Sequence, residues 1–184
     1  MGKTFETDRL ILRPFQTRDL ADIYEQVYSD PDVCIYYCGS TRSKAKTRQW
    51  LQFRITEALY SDFYAWAVEL KESDRVIGLI RLGPYVNSFN HLPEDPFPPF
   101  NPIEVELSFA FGQSFWGQGY ALEASRRIID YAFQTLGMPR LVSGIKKQNL
   151  RSIRFHEKLG YRVTKNLVDD DLEALLDNPG HSPT

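Results

Sequence analysis

Apolar and polar positions alternate along this chain in two distinct periods. Leu10-Ile11-Leu12-Arg13-Pro14 is a short apolar run closed by proline and reads as a strand. Thr17 is placed to cap the next segment, where Leu20, Ile23, Tyr24 and Val27 recur at helical spacing until Asp30-Pro31-Asp32 ends it. A second helix fits Ser43 to Leu59, with Trp50, Leu51, Ile55, Ala58 and Leu59 as its inner stripe. Two strands follow, Tyr64 to Leu70 and Val76 to Leu82, joined through Lys71–Arg75 as a hairpin.

From Pro84 to Pro102 the pattern is irregular, and the stretch HLPEDPFPPFNP carries five prolines. A loop of that length inside a domain either serves function, here by covering a groove, or pads the surface. A strand from Ile103 to Phe111 comes next, then a strongly amphipathic helix. Its inner face is Ala121, Ala124, Ser125, Ile128, Ala132 and Leu136; Glu123, Arg126, Asp130 and Gln134 face outward. Gly137 ends that helix, with Pro139 just beyond. Leu141 to Ile145 is an apolar strand, Asn149 to Leu159 a short helix closed by Gly160, and Tyr161-Arg162-Val163 opens another strand. The order is strand, two helices, three strands, helix, strand, helix, strand. With no repeat and no linker, residues 1–184 read as one α/β domain, its core at about 7–163 and a divergent acidic tail at 164–184.

Composition narrows the function classes. A net charge of -2, from 22 basic and 24 acidic residues, gives no general attraction to nucleic acid or anionic membrane. No apolar run approaches the roughly 20 residues of a membrane helix, and MGKTFETDRL lacks the apolar stretch of a signal peptide. Glu6 stands where a myristoylation signal needs Ser or Thr. Cys34 and Cys38, without a matching second cluster, read as two half-buried thiols in a reducing cytoplasm. His91 in the proline loop and His181 in the tail complete no metal constellation, so no metal is expected.

The stretch SFWGQGYALEAS, Ser114 to Ser125, places Gly117 and Gly119 where the amphipathic helix must begin. A helix's first N–H groups have no intrahelical partner, and its dipole adds partial positive charge there. Glycine lets the chain adopt unusual φ values and lets an anion approach without a Cβ in the way. No Gly-Lys-Ser/Thr follows, so this is not a Walker loop, and Leu122 occupies the third glycine position of a dinucleotide fingerprint. Taken alone, the segment is equally readable as a plain glycine turn.

NLRSIRFHEKLGY, Asn149 to Tyr161, adds a second cluster. With it, the chain resembles the GNAT superfamily of acyl-CoA-dependent N-acyltransferases, and within it the branch that acetylates the N-terminal amines of ribosomal proteins. TDRLILRPF followed by a helix and SDPDV is similar to that branch's opening. FWGQGYALEA resembles its pyrophosphate loop, patterned Q/R-x-x-G-x-G/A. NLRSIRFHEKLGY resembles its N-x-x-S-x-x-x-x-E-K-x-G-F/Y segment. The three landmarks fall in the expected order from Thr7 to Val163.

The resemblance implies a mixed, mostly antiparallel sheet flanked by helices, with one splayed parallel strand pair. It implies acetyl-CoA as cosubstrate, its pyrophosphate at Trp116, Gly117, Gln118, Gly119, Tyr120 and Ala121, with Trp116 in place of the usual Gln or Arg. It implies main-chain contacts from Phe109 and Phe111 to pantetheine, and a side-chain hydrogen bond from Asn149, which also reads as a helix N-cap. Glu106 matches the position of a glutamate facing the substrate end and is the expected general base, with Glu104 as alternate; both also read as the solvated face of a strand. His156 stands where many members carry a tyrosine that protonates the leaving thiolate, and Ser152 is the rival acid; a surface histidine is the other reading. Arg151, Arg154, Lys158, Arg126 and Arg127 either meet the 3'-phosphate of CoA or decorate a solvated face.

The C-terminus departs from the pattern. NLVDDDLEALLDNPGHSPT reads as acidic and helix-like, so the family's last strand is expected to be missing, displaced or supplied by a partner chain, which keeps a homodimer open. The expected activity is acetyl transfer to a primary amine, of a protein N-terminus or a small molecule, with no nucleic acid or membrane partner. The rival readings are a catalytically silent acyl-CoA-binding module of the same fold, and a nucleotide-binding protein using the glycine turn.

Overall fold

In the computed structural model the described residues are 2–85, 104–166 and 170–181. The chain divides into two compact units, Met1–Leu82 with Ser108–Arg127, and Gly83–Leu107 with Ile128–Thr184.

The first unit begins with β1 (Phe5–Glu6) and β2 (Leu10–Pro14), paired antiparallel. A 3-10 turn at Thr17–Asp19 leads into α1 (Leu20–Ile23), which closes in a π-helical turn at Tyr24–Tyr28. The start differs from expectation by one residue: Gln16 is the cap, its N–H donating to Asp19 Oδ2 at 2.7 Å, and not Thr17. Asp30 does not simply end the helix but starts another. Its Oδ1 accepts from the N–H groups of Asp32 at 2.9 Å and Val33 at 3.4 Å, and Pro31 occupies the first turn of α2 (Pro31–Tyr37). α3 (Lys44–Tyr60) starts where the spacing predicts, and Ser43 is its cap, with Oγ accepting from Lys46 N–H at 3.3 Å. Within its inner stripe Leu51 and Ala58 are buried, whereas Leu59 is 53% exposed.

β3 (Ala65–Leu70) and β4 (Arg75–Tyr85) form the expected hairpin. β4 runs past Leu82, so Pro84 and Tyr85 belong to a strand, while the rest of the proline-rich stretch and His91 lie outside the described residues. β3 is buried along its whole length because both of its faces are covered. On one face Ala65 and Ala67 join Ile23, Val27, Tyr28, Val33, Cys34 and Leu51 from the helices in one apolar cluster. On the other, Trp66 stacks on Tyr64 and Phe5, and its Nε1 donates to the Lys3 carbonyl. Cys34 is buried and Cys38 half-buried, both as free thiols.

Arg13 on β2 is buried between two acids. It forks onto Asp19 with two 2.8 Å bonds and reaches Glu69 Oε2 with Nε at 2.8 Å. Burial works against its charge, and the two carboxylates outweigh that, raising its pKa further above the ordinary value. The network ties β2, β3 and the start of α1 into one piece.

The second unit carries the parallel pair. β5 (Glu104–Phe111) belongs to it through Leu107 and passes into the first unit from Ser108. α4 (Tyr120–Asp130) continues in a π-helical turn at Tyr131–Thr135 and leads to β6 (Arg140–Ile145), α5 (Leu150–Lys158), β7 (Arg162–Lys165) and β8 (Leu172–Asp177). β5 pairs with β6 in parallel; β8 pairs antiparallel with both β6 and β7.

β8 corrects the expected helix-like tail. Leu172-Glu-Ala-Leu-Leu-Asp177 is a strand of this chain, inserted between β6 and β7 with Ser143 opposite Ala174 and Val163 opposite Ala174 on its other side. Ala174 and Leu175 are buried by that insertion. Glu173, 1% exposed, accepts from the Tyr85 hydroxyl at 2.7 Å and from Asn166 Nδ2 at 3.1 Å. The result is an α/β fold with a mixed, mostly antiparallel set of eight strands among the described residues. No described helix is long and apolar enough to cross a membrane.

Arg13→Ala would leave the Asp19 and Glu69 carboxylates buried without their cation. Urea denaturation should show a loss of about 3–5 kcal/mol, the cost of orphaning a buried charge pair. A loss well under ~1 kcal/mol would mean the network does not hold β2 in place.

Candidate active site

In the first unit, β5 ends at Phe111 and a 3-10 turn at Gln113–Phe115 leads to the glycine segment. Gly117 and Gly119 adopt φ of +76° and +84°, a region that side chains with a Cβ rarely enter. A Cβ on Gly117 would find nothing within 4 Å, so the backbone there is open; one on Gly119 would lie 3.4 Å from Arg9 Nη2. α4 starts at Tyr120, with Glu123 N–H donating to the Gly119 carbonyl at 3.0 Å, and its earlier N–H groups have no acceptor within the helix. Ala121 adds only a methyl group beside them.

Trp116 holds this loop. Its Nε1 donates to the Phe111 carbonyl at 2.7 Å, and its ring packs on the apolar cluster. Gln118 Nε2 donates back to the Ser114 carbonyl at 2.7 Å, and Phe115 meets Tyr120 edge-on. Phe109 and Phe111 project from β5 with ring centroids 6.3 Å apart.

Arg9, which no sequence motif assigns to this loop, belongs to it. Its Nη1 donates to the Gln118 carbonyl at 3.0 Å, its guanidinium lies 4.4 Å over the Tyr120 ring, and Nε bonds Glu123 Oε2 at 2.7 Å. Burial pushes the Glu123 carboxyl up, but the Thr7 hydroxyl and Arg9 outweigh it and hold the group below the usual range. The TDRL lead-in and α4 are thereby clamped together, with a half-exposed cation beside the glycines. Nothing in sequence spacing links positions 9 and 118, so only the fold reveals it.

The second unit holds the candidate acids and bases. Glu104 is 5% exposed and ion-paired with Arg140, whose Nε lies 2.7 Å from its Oε1. The alternate base is therefore committed to a structural pair. Glu106 is half-buried and registers with Val142, the one β5–β6 pair among the described residues. The next link between those strands is a side chain: Ser143 Oγ donates to the Leu107 carbonyl at 2.7 Å. Tyr161, just after α5, is 4% exposed.

Asn149 caps α5, its Oδ1 accepting from Ser152 N–H at 3.1 Å. His156 is 3% exposed, with its ring edge against Phe155 and Tyr161. Its Nδ1 sits 2.8 Å from the Ser152 carbonyl and 3.3 Å from Ser152 Oγ, which makes Nδ1 the protonated nitrogen. Burial lowers the pKa of the imidazole and the Ser152 carbonyl only partly opposes it, so the ring is neutral near pH 7. The surface-histidine reading is excluded. Arg126, Arg151, Arg154 and Lys158 are exposed, and Arg127 lies 4.1 Å over the Phe5 ring. His181 is exposed, and no group of metal-binding side chains occurs among the described residues.

Comparison with known proteins gives the arrangement a family. The Acetyltransferase (GNAT) domain model matches residues 9–162. An uncharacterized N-acetyltransferase p20 of Bacillus licheniformis is 27% identical over 168 residues, covering 91% of this chain and 86% of that protein. The solved acetyltransferase of Agrobacterium tumefaciens superposes with a TM-score of 0.73 at 25% identity, over 95% of this chain and 94% of its own. The ribosomal-protein-S5-alanine acetyltransferase of Vibrio fischeri shares the fold, with a TM-score of 0.73 at 15% identity over 99% and 100% of the two chains. Since the family model takes in the Arg9 clamp, the glycine loop and α5 together, the chain belongs to the GNAT family of acetyltransferases.

Proposed function

We propose that the protein is an acetyl-CoA-dependent N-acetyltransferase that moves an acetyl group to a primary amine, of a protein N-terminus or a small molecule, by direct transfer in a ternary complex. The observation that carries this reading is the loop: two glycines at positive φ, one facing open space, at the start of an eleven-residue helix and beside the Arg9 guanidinium. A diphosphate suits such a place because unpaired amides, the helix dipole and a cation all favour negative charge. In this reading the amides of Gly117, Gln118, Gly119, Tyr120 and Ala121 receive the pyrophosphate, Trp116 braces the loop, and Arg9 adds charge. The main chain at Phe109 and Phe111, and the Asn149 side chain, hold pantetheine.

A thioester is already activated, so the protein has to align it, take a proton from the attacking amine and stabilise developing charge. Glu106 is the proposed base, the choice over Glu104 resting on the Arg140 pair that engages the latter. Ser152 is the proposed route by which a proton reaches the leaving sulfur. His156, neutral and with Nδ1 bonded to the Ser152 carbonyl, positions that residue. The acceptor class takes support from the amine-directed relatives in name only, and is tested by following free thiol release from acetyl-CoA across a panel of peptide and small-molecule amines. Coenzyme binding without turnover on any amine would favour the silent module.

Gly119→Val should abolish CoA binding in calorimetry while the thermal melt stays cooperative, because a branched side chain there is strained at positive φ and crowds Arg9. Unchanged affinity would refute the loop assignment. Glu106→Gln should lower kcat by about 10²–10⁴-fold, the range for losing a general base, with acetyl-CoA affinity little changed. A near-normal kcat at saturating amine would remove Glu106 from that role.

A further inference from the structure

One tyrosine and two arginines of the first unit bury hydrogen-bond donors that find no acceptor. Tyr28, in the π-helical turn after α1, is 0% exposed, and its hydroxyl makes no hydrogen bond among the described residues. Arg54 on α3 gives Nη1 to Glu57 Oε2 at 2.5 Å, but its Nε is buried and bonds nothing among the described residues. Arg81 on β4 likewise buries an Nε without an acceptor among them. Its register partner is Ala65, a member of the apolar cluster that holds Tyr28 and Leu51, so Arg81 lies on the helix-covered face of the sheet. Buried donors are almost always paired, because leaving one dry forfeits its bond to water without return.

Ring contacts gather these groups and add a third arginine. The Tyr28 ring meets Trp50 edge-on with centroids 4.8 Å apart. The Arg54 guanidinium lies 5.7 Å from the Trp50 centroid and 4.8 Å from that of Phe53. Arg42 lays its guanidinium 4.6 Å over Tyr28 itself, and its backbone N–H donates to the Tyr28 carbonyl at 2.8 Å. Arg42 is half-buried, so one side of this group is open to solvent. Glu57 is the one carboxylate that any of the three arginines bonds among the described residues, which leaves positive charge in excess. Burial and then Tyr37 push the Tyr28 phenol up, and Arg42 and Arg54 oppose them only in part, so the hydroxyl keeps its proton to donate.

We infer that this face of the first unit is a binding site for the carboxylate of a small organic acid with an aromatic or apolar body. The site stands apart from the acetyl-CoA reading, since none of its residues belongs to the glycine loop. A guanidinium resting on an aromatic ring is weakly hydrated, and its planar fork matches the two oxygens of a carboxylate. The acid enters beside the half-buried Arg42 and takes its fork, then the Arg54 Nε–H and the Tyr28 O–H, while Arg81 adds charge from the sheet. Its apolar body lies against the partly buried Trp50 and Tyr37. An ammonium has no place here, because the arginines only donate and carry like charge. Such a carboxylate comes either from the amine acceptor itself or from a separate acid that binds as an effector.

The test is calorimetric titration of the full chain, without coenzyme, using phenylacetate, its neutral isostere phenylacetamide, and phenethylamine. Phenylacetate should saturate the wild type and bind about tenfold or more tighter than phenylacetamide, with no binding of phenethylamine. Arg42→Gln should weaken phenylacetate by about tenfold while the melt stays cooperative. Tyr28→Phe should also weaken it yet not lower the melting temperature, since in the free protein the lost oxygen pairs with nothing. Phenylalanine and phenylalaninamide, compared as acceptors by thiol release, identify the source. A preference for phenylalanine that Arg42→Gln abolishes places the carboxylate on the acceptor; equal turnover, or none, with phenylacetate bound makes it a separate acid. Equal affinity for phenylacetate and phenylacetamide, no saturation with either, or unchanged phenylacetate binding in both variants overturns the inference and leaves the coenzyme reading untouched. Failure of the wild type to bind CoA overturns the coenzyme reading and leaves this site standing.

Discussion

Among the described residues a single register pair, Glu106 with Val142, joins β5 to β6, and the character of the second unit follows from it. A parallel ladder that continued would consume backbone groups on both strands. Here it stops, and Ser143 Oγ takes the Leu107 carbonyl that the ladder would otherwise use. Glu106 is half-buried at that paired position. On the far side of β6 the full antiparallel ladder with β8 supplies the rigidity that the short pairing lacks.

The second constraint lies at the start of α4. The proposed anion site needs a loop that is held open. Trp116 does so from one side, tied to the Phe111 carbonyl and to the apolar cluster. Arg9 and Glu123 do so from the other, joining the first strands to α4. Their ion pair is half-exposed and contributes little to stability as such; its value lies in placing a cation beside Gln118. The buried Arg13 network supports the same β2 from within.

Electrostatics divide two glutamates that stand two residues apart on one strand. Glu104 is engaged by Arg140 from β6, whereas the charge of Glu106 raises the pKa of the buried Tyr161 phenol. The division extends to α5, where burial keeps His156 neutral and its Nδ1 proton on the Ser152 carbonyl, so this helix contributes placement more than charge.

Local physics was legible from residue order. Glycines at 117 and 119, the helix that begins at Ser43, the Asn149 cap and the 3.6-residue stripe of α4 are determined by neighbours within a few positions, and each appears where the pattern puts it. Leu172-Glu-Ala-Leu-Leu-Asp177 departs from its helix-like pattern: its residues favour helix in isolation, and only the two open ladders of β6 and β7 make it a strand. The same holds for Arg9 beside Gln118, Arg140 beside Glu104 and Tyr161 near Glu106, pairs separated by tens of residues. Spacing along a chain specifies which face a side chain takes, whereas the partner across from it depends on strand order and register, which are settled only when the apolar faces are buried together.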